Sequence, residues 1–106
     1  MDLKQMLQGS DIQAGMEQFR NTPGAVLVDV RTPEEYARGH IPGSINIPLQ
    51  NILEIENAVP DQQTPLFVYC LSGGRSRRAA AFFGRQGYEQ VCNIGGISGY
   101  SGELEL

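Results

Sequence analysis

Apolar positions along this chain fall in short runs separated by turn residues and by amphipathic stretches. "AVLVDV", residues 25–30, is a β-branched run without alternation, which predicts a buried strand. "PLFVYC", residues 65–70, and "QVCNI", residues 90–94, predict two more, and a shorter one is expected near residues 44–47 in "HIPGSINIP". Residues 11–20, "DIQAGMEQFR", have helical spacing and are ended by "NTPG". In "TPEEYARG", Thr32 is an N-cap candidate, Pro33 takes the first helical position and Glu35 stands three residues after the cap. That pattern is a capping box, closed by Gly39. A helix is expected over 49–58, stopped by Pro60, and another over 74–86, with Gly87 as its left-handed cap. In the latter, Ala79, Phe82, Phe83 and Gln86 share one mostly apolar face. "GGISGY" turns into a short helical end. Strands alternating with helices through short connections predict an α/β domain with a largely parallel central sheet. Ligands of such sheets bind beyond the carboxyl ends of the strands.

The 106 residues fit one domain, 1–106, with 1–10 set apart as an N-terminal segment too polar to assign and 101–106 as a C-terminal tail. An apolar fraction of 41% suffices for one core. No apolar run approaches the roughly 20 residues of a membrane span, and the start lacks a basic region followed by an apolar stretch. A cytoplasmic protein is therefore expected. A net charge of −4 argues against nonspecific nucleic-acid binding. Yet Arg75, Arg77, Arg78 and Arg85, four of the eight basic residues, crowd one short span, which suggests a small anionic ligand. For the last three, a solvated helix face explains the cluster equally well. Two cysteines, Cys70 and Cys92, and a single histidine, His40, fall short of a structural zinc site, and no disulfide is expected.

Cys70 changes the picture. It ends an apolar strand, and "LSGGR", residues 71–75, leads from it straight into a helix. Gly73 and Gly74 open conformations closed to other residues, so the loop can turn several N–H groups inward as an anion nest. The helix start adds unpaired N–H groups and a positive dipole end, and Arg75 adds a permanent cation. These surroundings favour a thiolate, the nucleophilic form of cysteine. No general base stands nearby, and a nucleophile with a depressed pKa needs none. The chemistry indicated is thiolate attack on an electrophilic atom carried by an anion, which fits sulfur transfer and phosphoryl transfer alike. Cys92, inside a predicted strand, reads as an inert core residue.

"DVRTPEEYARGHIPGSINIP" at 29–48, "YCLSGGRS" at 69–76 and "NIGGI" at 93–97, in this order and at this separation, resemble the single-domain rhodaneses. The resemblance runs from about residue 11 to residue 100. It implies a three-layer domain, with a parallel sheet of about five short strands flanked by helices on both faces. It also implies a sulfurtransferase that moves the outer sulfur of thiosulfate or a related donor to cyanide or a thiol, through a persulfide on Cys70. No metal or separate cofactor is implied, and no nucleic acid or membrane partner. By the same resemblance Leu71, Ser72, Gly73, Gly74 and Arg75 form the substrate-binding loop. Its N–H groups would cradle the persulfide, and Arg75 would help bind the donor. Asp29, Arg31, His40 and Ser76 are supporting residues. Asp29, at a strand end, needs hydrogen bonds or a cation, Arg31 has Glu34 or Glu35 within reach, and His40 anchors its loop. Tyr100 stands where the family often has a tryptophan.

Four residues separate Cys70 from Arg75, where cysteine phosphatases place five. A residue adds up to about 3.3–3.6 Å of contour, so the shorter loop should fit a sulfur and crowd a tetrahedral phosphate. A phosphatase or arsenate reductase therefore ranks below the sulfurtransferase. So does an inactive regulatory module, since Cys70 and Arg75 are both present. A persulfide carrier serving a protein partner would use the same chemistry, and the uncharged Leu71 and Ser72 at the loop rim leave room for a bulky donor.

Overall fold

Alternate residues of the strands, those of β3 above all, supply two separate apolar cores, one on either face of a parallel sheet. The computed structural model describes residues 11–106. Helix α1, Ile12–Arg20, is followed by β1, Val26–Asp29, and α2, Pro33–Ala37. Strand β2, Ser44–Asn46, leads into a 3₁₀ segment, Leu49–Glu54, and a short helix α3, Ile55–Ala58. Strand β3, Leu66–Cys70, helix α4, Gly74–Gln86, strand β4, Val91–Gly96, and a 3₁₀ turn, Ile97–Gly99, complete the order.

Leu66, Val68 and Cys70 of β3 point to the face covered by α3 and α4, where they meet Ile55, Val59, Ala79 and Phe83. Phe67 and Tyr69 point to the other face, with Ile12 and Met16 of α1 and Ile94 of β4. This period-2 division, every residue of β3 buried, explains why the run reads as continuous rather than alternating.

The strand order is β2-β1-β3-β4, all parallel among the described residues. The family resemblance implied about five strands. Four are present among the described residues, and the question of an N-terminal edge strand falls on residues 1–10, outside them. After β1 the chain winds outward to β2, whereas after β3 it winds the opposite way to β4. The reversal opens a crevice beyond the carboxyl ends of β1 and β3, where α/β sheets bind ligands. Asp29 ends one of these strands and Cys70 the other.

Local signals set most boundaries. The Thr32–Glu35 capping box forms, with the Thr32 hydroxyl accepting from Glu35 N–H and Glu35 accepting from Thr32 N–H. Gly87 caps α4 at φ +111°. The helix expected over 49–58 is instead the 3₁₀ segment, broken at Asn51, and then one turn of α3. Ile55 and Val59 are buried here, whereas Leu49 and Ile52 are only partly buried against the same core, so little packing holds a regular α-helix there. The terminal residues expected as a tail are tied down, since Glu105 pairs antiparallel with His40 through two backbone hydrogen bonds of 2.8 and 2.9 Å.

Candidate active site

Cys70 is 1% exposed and sits where β3 hands the chain to α4. Gly73, the N-cap of α4, adopts φ +106°, the left-handed region that only glycine enters freely. That twist turns the Gly73 N–H back toward the strand end, where it donates to Cys70 Sγ at 3.0 Å. Gly74 has no such need, because its φ is not positive and a Cβ there would meet nothing within 4 Å. One glycine, not two, therefore makes the turn. Leu71, Ser72 and Gly74 are exposed, with Leu71 at the rim.

Burial pushes the Cys70 thiol up, yet the net displacement is downward. The Ser76 hydroxyl and the N–H groups of Ser76, Gly73 and Ser72 together favour its anion more than burial opposes it. Cys92 has no such donors, and burial pushes its thiol up. It is partly buried and packs against the opposite core.

Strand β4 supports the loop from below. Val68 pairs with Asn93 and Tyr69 with Gly95, so Ile94 is an extra residue in the ladder, a β-bulge. Gly96 then pairs with Cys70, and the loop backbone lies so close that a Cβ on Gly96 would stand 2.6 Å from Ser72 Cα. Ser98 N–H donates to Leu71 O at 3.1 Å, fixing the loop from the same side. The "NIGGI" stretch thus has a physical purpose. From the sequence, Asn93 is only one residue of a predicted strand and has no part in the site.

Asp29 and Arg31 meet each other rather than α2. The Arg31 guanidinium donates to both Asp29 carboxylate oxygens, at 2.7 to 3.1 Å, and to Gly39 O at 2.7 Å. This corrects the expectation that Arg31 reaches Glu34 or Glu35. Both residues are buried, and a buried carboxylate draws the nearest cation. Burial works against the Arg31 charge, but Asp29 more than offsets it. The guanidinium also lies 5.8 Å from the centre of the Tyr69 ring.

Glu35 pairs instead with Arg75. The guanidinium makes a two-pronged ion pair with its carboxylate, at 2.8 and 3.0 Å, forty residues away in sequence. Arg75 holds the Glu35 carboxyl down at about 2, helped by the Thr32 N–H and hydroxyl against a smaller effect of burial. The loop cation is therefore already half-engaged. Arg77, Arg78 and Arg85 are exposed.

His40 stacks on Tyr36 with ring centres 3.7 Å apart, and its Nδ1 lies 2.9 Å from Tyr36 O. Its Nε2 lies 3.6 Å from Glu105 Oε1, a pair that is ionic only when the ring is protonated. These partners belong to α2 and the chain end, not to the Cys70 loop. Ser76 is fully buried in the first turn of α4, behind Cys70.

The arrangement is a buried thiol in a ring of converging N–H groups at a helix start, beside a partly neutralised arginine. The chain as a whole is similar to known proteins. The family model described as Rhodanese-like domain matches residues 3–103. Thiosulfate sulfurtransferase PspE of Escherichia coli is 44% identical over 71 residues, 66% of this chain and 68% of its own. A sulfurtransferase of Allochromatium vinosum is 34% identical over 93 residues, 87% of this chain and 86% of its own. Among solved structures, a rhodanese with anions from E. coli superposes with a TM-score of 0.71 at 36% identity, over 76% of this chain and 96% of that one.

Proposed function

The chain belongs to the rhodanese-like domain family, and from that premise we propose that it is a sulfurtransferase acting through a persulfide on Cys70. The Cys70 thiolate attacks the outer sulfur of thiosulfate or a related donor. The donor's S–S bond breaks, and sulfite leaves with the electron pair. Cyanide or a thiolate acceptor then attacks that outer sulfur, and Cys70 Sγ leaves as the thiolate. No base is required for the first step, because the thiol is already displaced toward its anion.

The observation that carries this reading is the closeness of the loop around the sulfur. Gly73 N–H reaches Sγ itself at 3.0 Å, and the loop has one residue fewer than a phosphate-binding ring. Donors aimed at a sulfur stabilise a thiolate and a persulfide, the species this cycle alternates between. The test compares turnover of thiosulfate with that of an aryl phosphate on the same protein. Thiosulfate is expected to react faster, and faster phosphate hydrolysis would reverse the assignment. Leu71, 44% exposed at the rim, presents an apolar contact that suits a thiol acceptor carried on a larger molecule, including a protein.

Arg75 has five N–H donors and spends two on Glu35, so it can still meet an anionic donor, though with its charge partly cancelled. Glu35→Gln keeps an oxygen for the capping box and removes that cancellation. Losing one partly exposed charge beside the donor is worth roughly 0.5–1 kcal/mol, so KM for thiosulfate should fall about two- to fivefold. A rise in KM would mean that the ion pair serves only to hold the loop.

A further inference from the structure

Helix α4 leads away from the Cys70 loop and buries Ser76, Ala79 and Phe83. Its exposed positions are Gly74, Arg77, Arg78, Ala81, Gly84 and Arg85. At about 100° per residue they fall in one stripe roughly 120° wide, opposite the core. A face shaped only for solvent mixes both signs of charge and sets carboxylates near the helix start. Helices α2 and α3 follow that rule, with Glu34, Glu35 and Glu56 in their first turns. Helix α4 carries no carboxylate at all. Arg77 and Arg78 fall within its first two turns, toward the end where the dipole opposes cations, and Arg85 alone lies in the last turn. Arg75 is paired with Glu35, whereas Arg77, Arg78 and Arg85 make no ion pair among the described residues. On the same face Gly74 and Gly84 have nothing within 4 Å of an added Cβ, so packing inside the chain does not explain the helix stability they forgo. The result is a basic ridge on a chain of net charge −4, and it starts at the rim formed by Leu71 and Ser72.

We propose that the exposed face of α4 is a docking surface for an acidic segment of a protein that presents a cysteine thiol to Cys70, an inference that rests on the sulfur transfer proposed above. Arg77, Arg78 and Arg85 attract the segment, and the bare glycine and alanine positions let it lie close to the helix. Leu71, 44% exposed, meets the residues around the thiol. Charge selects the class of partner. The acidic remainder of the chain repels the extended negative surfaces of nucleic acid and anionic lipid, whereas a short acidic segment needs only the ridge. Because α4 begins at the loop, a segment lying along the ridge is led to the sulfur. There the acceptor thiolate attacks the outer sulfur of the Cys70 persulfide. The S–S bond breaks with its electron pair on Sγ, and the acceptor departs as a persulfide.

The test loads Cys70 from thiosulfate, removes the excess donor, and follows the loss of about 32 Da as sulfur passes to an acceptor. Two synthetic peptides of equal length each carry one cysteine, flanked by glutamates in one and by glutamines in the other. Delivery to dithiothreitol, which is too small to span the ridge, reports that the loop is intact. At low ionic strength the ratio of acidic-peptide to neutral-peptide rates should be about five- to tenfold higher for the unmodified protein than for Arg77→Gln/Arg78→Gln/Arg85→Gln. The intrinsic reactivities of the two thiols cancel in that comparison, and added salt should erase the difference. An equal ratio in the two proteins overturns the proposal. So does a single-stranded RNA oligonucleotide that binds the ridge more tightly than the acidic peptide, since the face would then belong to nucleic acid. If Cys70 takes up no sulfur, the sulfur-transfer reading fails on its own. Docking is then read by fluorescence anisotropy of the labelled acidic peptide with serine for cysteine, which should bind the unmodified protein at least fivefold more tightly than the triple variant. Equal binding would again overturn the proposal.

Discussion

Cys70→Ser is expected to abolish sulfur uptake. On incubation with thiosulfate the unmodified protein should gain about 32 Da, one sulfur atom, by intact-mass measurement, and the serine variant none. The argument is chemical rather than steric. A serine oxygen fits the space left by a 1% exposed sulfur. Its hydroxyl, however, stays protonated in surroundings that favour a thiolate, and an oxygen cannot store sulfur as a persulfide. Cys92→Ser should take up sulfur normally, since Cys92 lies on the opposite face of the sheet with its thiol pushed up by burial. An adduct that survives in Cys70→Ser and disappears in Cys92→Ser would falsify the assignment of the site.

What the sequence revealed and what it hid divide by whether the interaction needs the assembled sheet. The capping box at Thr32 and Glu35, the glycine cap at Gly87 and the strand that ends on Cys70 depend on neighbours within a few residues, and all were legible. So was the doubly apolar character of "LFVYC", because each face of that strand is covered by its own core. The partners of the charged residues were not. Arg31 was expected to pair forward along the chain with α2, but its carboxylate lies two residues back, in a buried crevice that only the assembled sheet creates. The Glu35–Arg75 pair joins the first turns of α2 and α4, brought side by side by the reversal of winding between β1 and β3, which no local pattern encodes. The bond between Ser76 and Asn93 joins a helix to the next strand across a bulge. A polar residue inside the otherwise apolar "QVCNI" was the available signal for Asn93, since a buried amide must find partners.

Gly96→Ala is expected to be the most damaging change outside Cys70, and the reason is confined to one contact. The Gly96 backbone has φ −120° and ψ 136°, which alanine adopts without strain, so a conformational cost does not enter. The added Cβ would overlap Leu71 O and stand 2.6 Å from Ser72 Cα. These are backbone atoms of the loop that carries the N–H donors, and they cannot rotate away as a side chain would. The loop has to lift from β4, which strains the Ser98-to-Leu71 hydrogen bond and withdraws the Ser72 and Gly73 N–H groups from the sulfur. Overpacking of this kind costs about 1–3 kcal/mol of stability. A shift near 1 Å at a reacting centre costs about a hundredfold in rate, so thiosulfate turnover should fall by that factor or more in a protein that still folds. Gly84→Ala supplies the contrast, because that exposed position near the end of α4 has nothing within 4 Å of a new Cβ. It should gain about 0.5–1 kcal/mol from reduced chain entropy and keep full turnover. If Gly96→Ala turned over thiosulfate as fast as Gly84→Ala, the loop would be pliable, and the close seating of its N–H groups on Sγ could not be what supports the chemistry of Cys70.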